Sequence, residues 1–178
     1  MIRAEQRAWM LEKELQMIYE RKPFLADFWN AGIMSVGCIS AGCPGGYFYI
    51  DWNGNIAPCV CFLYTKAKIY ELYRGGGPSS SLLEGEYFNA IRSWQDGYLK
   101  GRERMKNLFL PCPMRDHYGF AHQLVTSQGA KPMDENAAAA LSDLEYRGKM
   151  TEYNGLTAEL LDPVWQREVY PGQVGAQR

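Results

Sequence analysis

Five cysteines carry the chemistry this sequence can do: Cys38, Cys43, Cys59, Cys61 and Cys112. Cys38 and Cys43 are separated by Ile-Ser-Ala-Gly and followed by Pro-Gly-Gly. Glycines let a backbone curl closely around a bulky object and turn its N–H groups inward. Thiolates hold iron–sulfur clusters, and hydrogen bonds to the sulfurs help set their potential. A glycine-flanked cysteine pair beside Cys59 therefore reads as a cradle for a metal cluster. The same residues also suit buried reduced thiols that pack as small apolar side chains. Cys112 sits between Pro111 and Pro113, which fix the backbone there in an extended form. That rigidity suits a ligand brought back from far along the chain. An odd number of cysteines fits a complete disulfide framework poorly, and clustered cysteines in a reducing cytosol bind metal or react.

A β-hairpin is the element that would position Cys59. Asn53-Gly54 predicts a two-residue type I′ turn, because both residues tolerate positive φ. Its flanks, Tyr47 to Trp52 and Asn55 to Phe62, are rich in aromatic and β-branched residues. With Asn53 and Gly54 as the loop, Trp52 faces Asn55, Ile50 faces Ala57 and Phe48 faces Cys59. Cys59 then shares a face with Phe48, Ile50 and Cys61. Pro58 cannot donate to a ladder, so its strand is expected to be an edge or to be bulged there.

Helices surround the hairpin. Ala8, Leu11, Leu15 and Ile18 make one apolar stripe on a helix predicted over Ala4 to Lys22, ended by Pro23. Phe24 to Trp29 reads as a strand and Asn30-Ala31-Gly32 as a turn. A helix and then a strand at the start resemble the last piece of a larger β/α unit. Ile69 to Tyr73 is predicted as a short helix stopped by Gly75-Gly76-Gly77-Pro78. Leu83 to Trp94 reads as a helix anchored by Phe88, Ile91 and Trp94, followed by a polar connector from Asp96 to Asn107. Further helices are expected over Tyr118 to Val125 and Ala137 to Leu141. Another is expected after Asp162-Pro163, read as an N-cap with proline at the first helical position. Pro171 to Arg178 is expected to fray. The fold class is α+β, a small hairpin sheet among helices.

Composition bounds the partners. The 178 residues are 47 % hydrophobic with formal net charge −1, which predicts an ordinary soluble domain with a real core. No basic excess points to nucleic acid or a membrane surface. No apolar run is long enough to span a bilayer, and no charged-then-apolar leader is present. A cytoplasmic setting is the expectation.

Cys38, then Gly54 and Cys59 as G-x4-C, then a distant Cys112, resembles the SPASM/Twitch extension of radical S-adenosylmethionine enzymes. The wording YIDWNGNIAPC is similar to the family's hairpin turn. The stretches Ile69-Tyr70-Glu71, Ser81-Leu82-Leu83 and Phe88 to Arg92 are similar to its helical insert. The likeness covers Asp27 to Val125. It implies an auxiliary [4Fe–4S] cluster held by Cys38, Cys43, Cys59 and Cys112, which match the family's four places in order and approximate spacing. It also implies residues 1–29 as the last helix and strand of a barrel, 30–125 as the cluster-binding domain and 126–178 as a helical extension.

The sequence also departs from the family pattern. The second cysteine array, C-x2-C-x5-C-x3-C, is missing, which favours the one-cluster form. C-x3-C-x2-C, which binds the cluster that cleaves S-adenosylmethionine, is missing too. S-adenosylmethionine and a second [4Fe–4S] cluster would therefore belong to an N-terminal barrel absent from this sequence. That barrel would be the main partner. A peptide, protein or small metabolite would be its substrate. The chain alone is expected not to be catalytic.

Several alternatives stay open. Cys61 can replace Cys43 as the fourth ligand, or be a free core thiol; a glycine loop adapts to a cluster more readily than a strand. His117 or Asp116 could complete a three-cysteine site, or His117 could bond backbone at a helix start. Arg115 could offset cluster charge, or pair with Asp116 or Glu103. Tyr47, Phe48, Tyr49 and Trp52 read as hairpin core. His122 is expected on a helix face. The rival cofactor is a structural zinc ion in a closed four-thiolate site, although C-x2-C pairs are absent. A thiol-redox enzyme without C-x-x-C and a metal-free binding domain complete the set.

Overall fold

The computed structural model describes residues 2–20, 37–43, 46–75, 84–99 and 106–169. The strand expected over Phe24 to Trp29, the turn after it and the C-terminal tail lie outside these. In order the elements are α1 (Ala4–Tyr19), β1 (Tyr49–Ile50), β2 (Asn55–Ala57), β3 (Tyr64–Thr65), β4 (Ala67–Lys68) and α2 (Ile69–Arg74). Then come α3 (Glu86–Leu99), α4 (Tyr118–Ser127), β5 (Lys131–Pro132), α5 (Glu135–Ser142) and α6 (Leu144–Val169). The class is α+β: short antiparallel sheets among helices.

The hairpin forms, but one residue out of the expected register. Tyr49 pairs with Ala57 and Ile50 with Ile56, so the loop is Trp52-Asn53-Gly54. Only Gly54 takes a positive φ, +74°. The cause is Asp51. Its carboxylate accepts the N–H groups of Asn53 and Asn55, both at 2.8 Å, while the Gly54 N–H donates to the Asp51 carbonyl at 3.0 Å. An Asx-type turn followed by one left-handed glycine competes with type I′ and wins. Side chains alternate, so this shift exchanges the faces of the strand. Trp52 is 86 % exposed at the tip rather than in the core.

Strand β2 is central, between β1 and β4, and ends just before Pro58. The missing N–H therefore falls outside the ladder. Cys59, Val60, Cys61 and Phe62 then form a tight turn, with the Phe62 N–H donating to the Cys59 carbonyl at 3.1 Å.

Two clusters hold the fold. Ile56, Phe62 and Tyr64 from the sheets pack on Tyr87, Phe88 and Ile91 of α3 and on Leu124 and Val125 of α4. Leu11 and Leu15 of α1 pack on Phe109, Leu110 and Leu161, Val164 and Trp165 of α6. Ile18, expected on the apolar stripe, is exposed. Helix α3 runs on past Trp94 to Leu99. The Asp134 side chain caps α5 by accepting the Ala137 N–H at 2.7 Å.

Asp162-Pro163 does not open a helix. Pro163 lies inside the 26-residue α6. Leu161, Val164 and Trp165 bury against α1 on either side of it. Their burial keeps the chain helical through a residue that lacks an N–H.

Candidate metal-cluster site

Each cysteine-bearing segment is fixed by its own local chemistry. The Gly37–Cys43 loop is stitched to the start of the hairpin: Tyr47 N–H donates to the Ile39 carbonyl and Gly42 N–H to the Tyr47 carbonyl, both at 3.0 Å. Ala41 is fully buried with φ +58°. Its N–H donates to the Pro58 carbonyl at 2.9 Å, which ties this loop to the end of β2. Helix α3 grips the same loop, with Arg92 Nη1 donating to the Ala41 carbonyl at 2.9 Å and Gln95 Nε2 to the Ser40 carbonyl at 3.2 Å.

Cys112 is held by Asp116. The Cys112 N–H donates to Asp116 Oδ2 at 3.0 Å, and the Asp116 N–H donates back to the Cys112 carbonyl at 2.9 Å. Asp116 in turn accepts from Arg7 Nη1 at 2.6 Å and from Arg115 Nε at 2.9 Å. Burial pushes the Asp116 carboxyl upward, but the two guanidiniums outweigh it and hold it below the usual carboxylate range.

Cys38, Cys59, Cys61 and Cys112 all line one cavity of about 300 Å³. Its remaining wall includes Ile39, Tyr47, Pro111, Met114, Arg115 and Met150. All five cysteines are free thiols. Cys43 does not line the cavity. Its sulfur lies 2.5 Å from where a Cβ on Gly46 would sit.

The thiols sense one another. Cys59 shares a hydrogen bond with Cys61 that, with burial, raises its pKa. The same bond, helped by Arg115, lowers that of the exposed Cys61. Burial, with the Asp116 carboxylate adding to it, pushes Cys112 up to about 12. Burial and the nearby Cys38 raise Cys43. Further polar neighbours lie at Cys112 and Cys38: the Arg115 N–H donates to Cys112 Sγ at 3.4 Å, and Ser40 Oγ lies 3.1 Å from Cys38 Sγ.

Among the described residues, no three Cys, His, Asp or Glu side chains are grouped closely enough to hold a single metal ion. Four of the cysteines instead line a space of about 300 Å³. In donor type and in room, the cavity fits a bulky thiolate-ligated group.

His117 stands outside the cavity lining. It precedes α4, and its Nε2 bonds the Leu110 carbonyl at 2.9 Å. His122 Nε2 bonds the Leu141 carbonyl at 3.3 Å. Tyr47 lines the cavity and Phe48 packs edge-on against Phe88. Glu103 lies outside the described residues. Arg7 has no place in the sequence-level site. The available signal is its position: Ala4, Arg7, Leu11 and Leu15 follow helical spacing, so a cation sits on the apolar stripe. Gln95 carries no such signal.

No protein-family model, no curated protein and no solved structure matches the chain. No described helix is long and apolar enough to cross a membrane.

Proposed function

We propose that this chain is an iron–sulfur module that carries a [4Fe–4S] cluster in the cavity lined by Cys38, Cys59, Cys61 and Cys112. One observation carries the reading: thiols from the glycine loop, the turn after β2 and the proline-flanked segment share a single cavity of about 300 Å³. Iron–sulfur clusters are held by such thiolates, and hydrogen bonds to the sulfurs tune them. Cys61 is the fourth ligand in this arrangement, with Cys43, on the same loop as Cys38, as the alternative.

A bound cluster would supply one-electron transfer. The chain's own residues do the rest. Asp116 and the flanking prolines hold Cys112 rigid. Ile39, Pro111, Met114 and Met150 keep water from the sulfurs. Arg115 lines the cavity as a cation that would offset thiolate charge at Cys112 and Cys61. The resemblance to SPASM/Twitch domains extends the proposal. The module would serve a radical S-adenosylmethionine barrel, passing electrons or holding a peptide, protein or small-molecule substrate.

Single replacements test the ligand set. After anaerobic reconstitution with iron and sulfide, Cys38→Ala, Cys59→Ala and Cys112→Ala should each lose most of the iron. Cys61→Ala should lose more than Cys43→Ala. Full iron in all five variants would overturn the site, and zinc retained in preference to iron would overturn the cluster.

A further inference from the structure

Beside the cysteine loop, three polar groups form a chain whose direction can be worked out. Gln95 of α3 is 4 % exposed and Ser40 is 3 % exposed. Gln95 Nε2 lies 3.2 Å from the Ser40 carbonyl and 3.0 Å from Ser40 Oγ. A carbonyl only accepts, so the nitrogen end of the Gln95 amide must face Ser40. Ser40 Oγ therefore accepts from Gln95, which leaves its own proton free. Among the described residues, the other neighbour of this hydroxyl is Cys38 Sγ at 3.1 Å. A thiol could donate back to the hydroxyl, but a metal-bound thiolate has no proton to give. Once Cys38 is a thiolate, one polarity is left: Gln95 to Ser40 to Cys38.

The arrangement carries a cost. Gln95 Oε1 is buried without a hydrogen-bond partner, and an orphaned buried acceptor costs about 1–3 kcal/mol. Ala41, next to Ser40, is held at positive φ, which only glycine adopts freely. A glutamine kept in place at that cost, whose hydrogen bonds among the described residues go to the residue that touches a cysteine, points to a task at the sulfur.

We propose that Ser40, oriented by Gln95, is a positioning residue that donates its hydroxyl proton to the Cys38 sulfur and raises the reduction potential of the bound cluster. The inference rests on the cluster reading. A hydrogen bond to a ligating sulfur stabilises the more negative, reduced cluster more than the oxidised one. Removing it makes the cluster harder to reduce.

The test is a potentiometric titration of the reconstituted full chain, followed by electron paramagnetic resonance, with iron counted in each sample. Ser40→Ala should load as much iron as the native chain. Its reduced-to-oxidised ratio at a fixed poise should fall about tenfold, ~59 mV for a one-electron couple. Ser40→Thr keeps the hydroxyl and should retain the native potential. Gln95→Met, which removes the orienting donor, should shift the potential in the same direction as Ser40→Ala. It also serves if Ser40→Ala does not fold. Fully loaded Ser40→Ala or Gln95→Met with an unchanged potential overturns the relay while leaving the cluster reading intact. A shift in Ser40→Thr as large as in Ser40→Ala overturns it too. A native chain that loads no iron overturns the cluster reading and the relay with it.

Discussion

Arg7 in the first helix and Asp116 beside Cys112 form an ion pair of 2.6 Å, with side chains 1 % and 0 % exposed. The link joins α1 to the segment that carries the last cysteine. Arg7 also donates to the Phe109 carbonyl at 2.6 Å, and Asp116 accepts the Cys112 N–H. A charge removed from such a pair leaves its partner buried and short of a partner, which typically costs about 3–5 kcal/mol. Arg115 still pairs with Asp116, so the loss should be somewhat smaller. Arg7→Met is expected to destabilise the fold by about 2–4 kcal/mol, read as a lower urea midpoint. An unchanged midpoint would mean that the pair contributes nothing.

His117 gives the fold a sensitivity to mild acid. Its ring packs edge-on against both Trp94 and Tyr98, which stack on each other. Burial lowers its pKa, helped by Lys106 and Arg7 and opposed by the Leu110 carbonyl and Asp116. The folded state therefore binds its proton less readily than the unfolded chain. Below about pH 6.5, the ordinary histidine value, the unfolded chain takes up more protons and stability falls. The urea midpoint should drop as pH goes from 7 to 5, and His117→Gln should flatten that slope. A midpoint that rises on acidification would contradict a histidine held neutral by burial.

Gly54 is the one residue of the hairpin loop at positive φ. A Cβ there would also sit 2.5 Å from Tyr70 Cε2. Tyr70 is exposed and its ring can swing aside, so backbone strain is the larger part of the cost. Gly54→Ala should destabilise by more than about 1 kcal/mol. Thermal unfolding measures this, and a neutral result would contradict the left-handed turn.

Pro163 interrupts the hydrogen-bond ladder of α6 at an exposed position. Proline in a helix interior costs about 3 kcal/mol relative to alanine. Packing of Leu161, Val164 and Trp165 holds the helix together across it. Pro163→Ala is thus expected to raise stability by about 1–3 kcal/mol, seen as a higher melting temperature. A loss of stability would mean that the proline, and not the packing, shapes this helix.

Much of the local structure is legible in the residues themselves. Stripe periodicity gives α1, Asn53-Gly54 gives the chain reversal, and Asp134 gives the start of α5, because each depends on neighbours within a turn or two. The register of the hairpin is not legible from the turn dipeptide alone, since the Asp51 carboxylate selects a longer loop. Pro163 misleads because tertiary burial overrides its local preference. Around the cavity, the glycine loop and the prolines beside Cys112 mark two of the segments that line it. Which sulfurs share a wall is a matter of tertiary placement: Cys61 faces the cavity and Cys43 does not. Arg7, Ser40 and Gln95 act across long sequence separations, where no periodicity reaches.

Iron and acid-labile sulfide counted per chain, after anaerobic reconstitution of the native protein, bear most directly on the cavity's role. About four of each per chain are expected, with a brown colour and a paramagnetic signal on reduction, as a [4Fe–4S] cluster requires. A folded, colourless chain that keeps neither iron nor sulfide would show that these four sulfurs merely pack side by side.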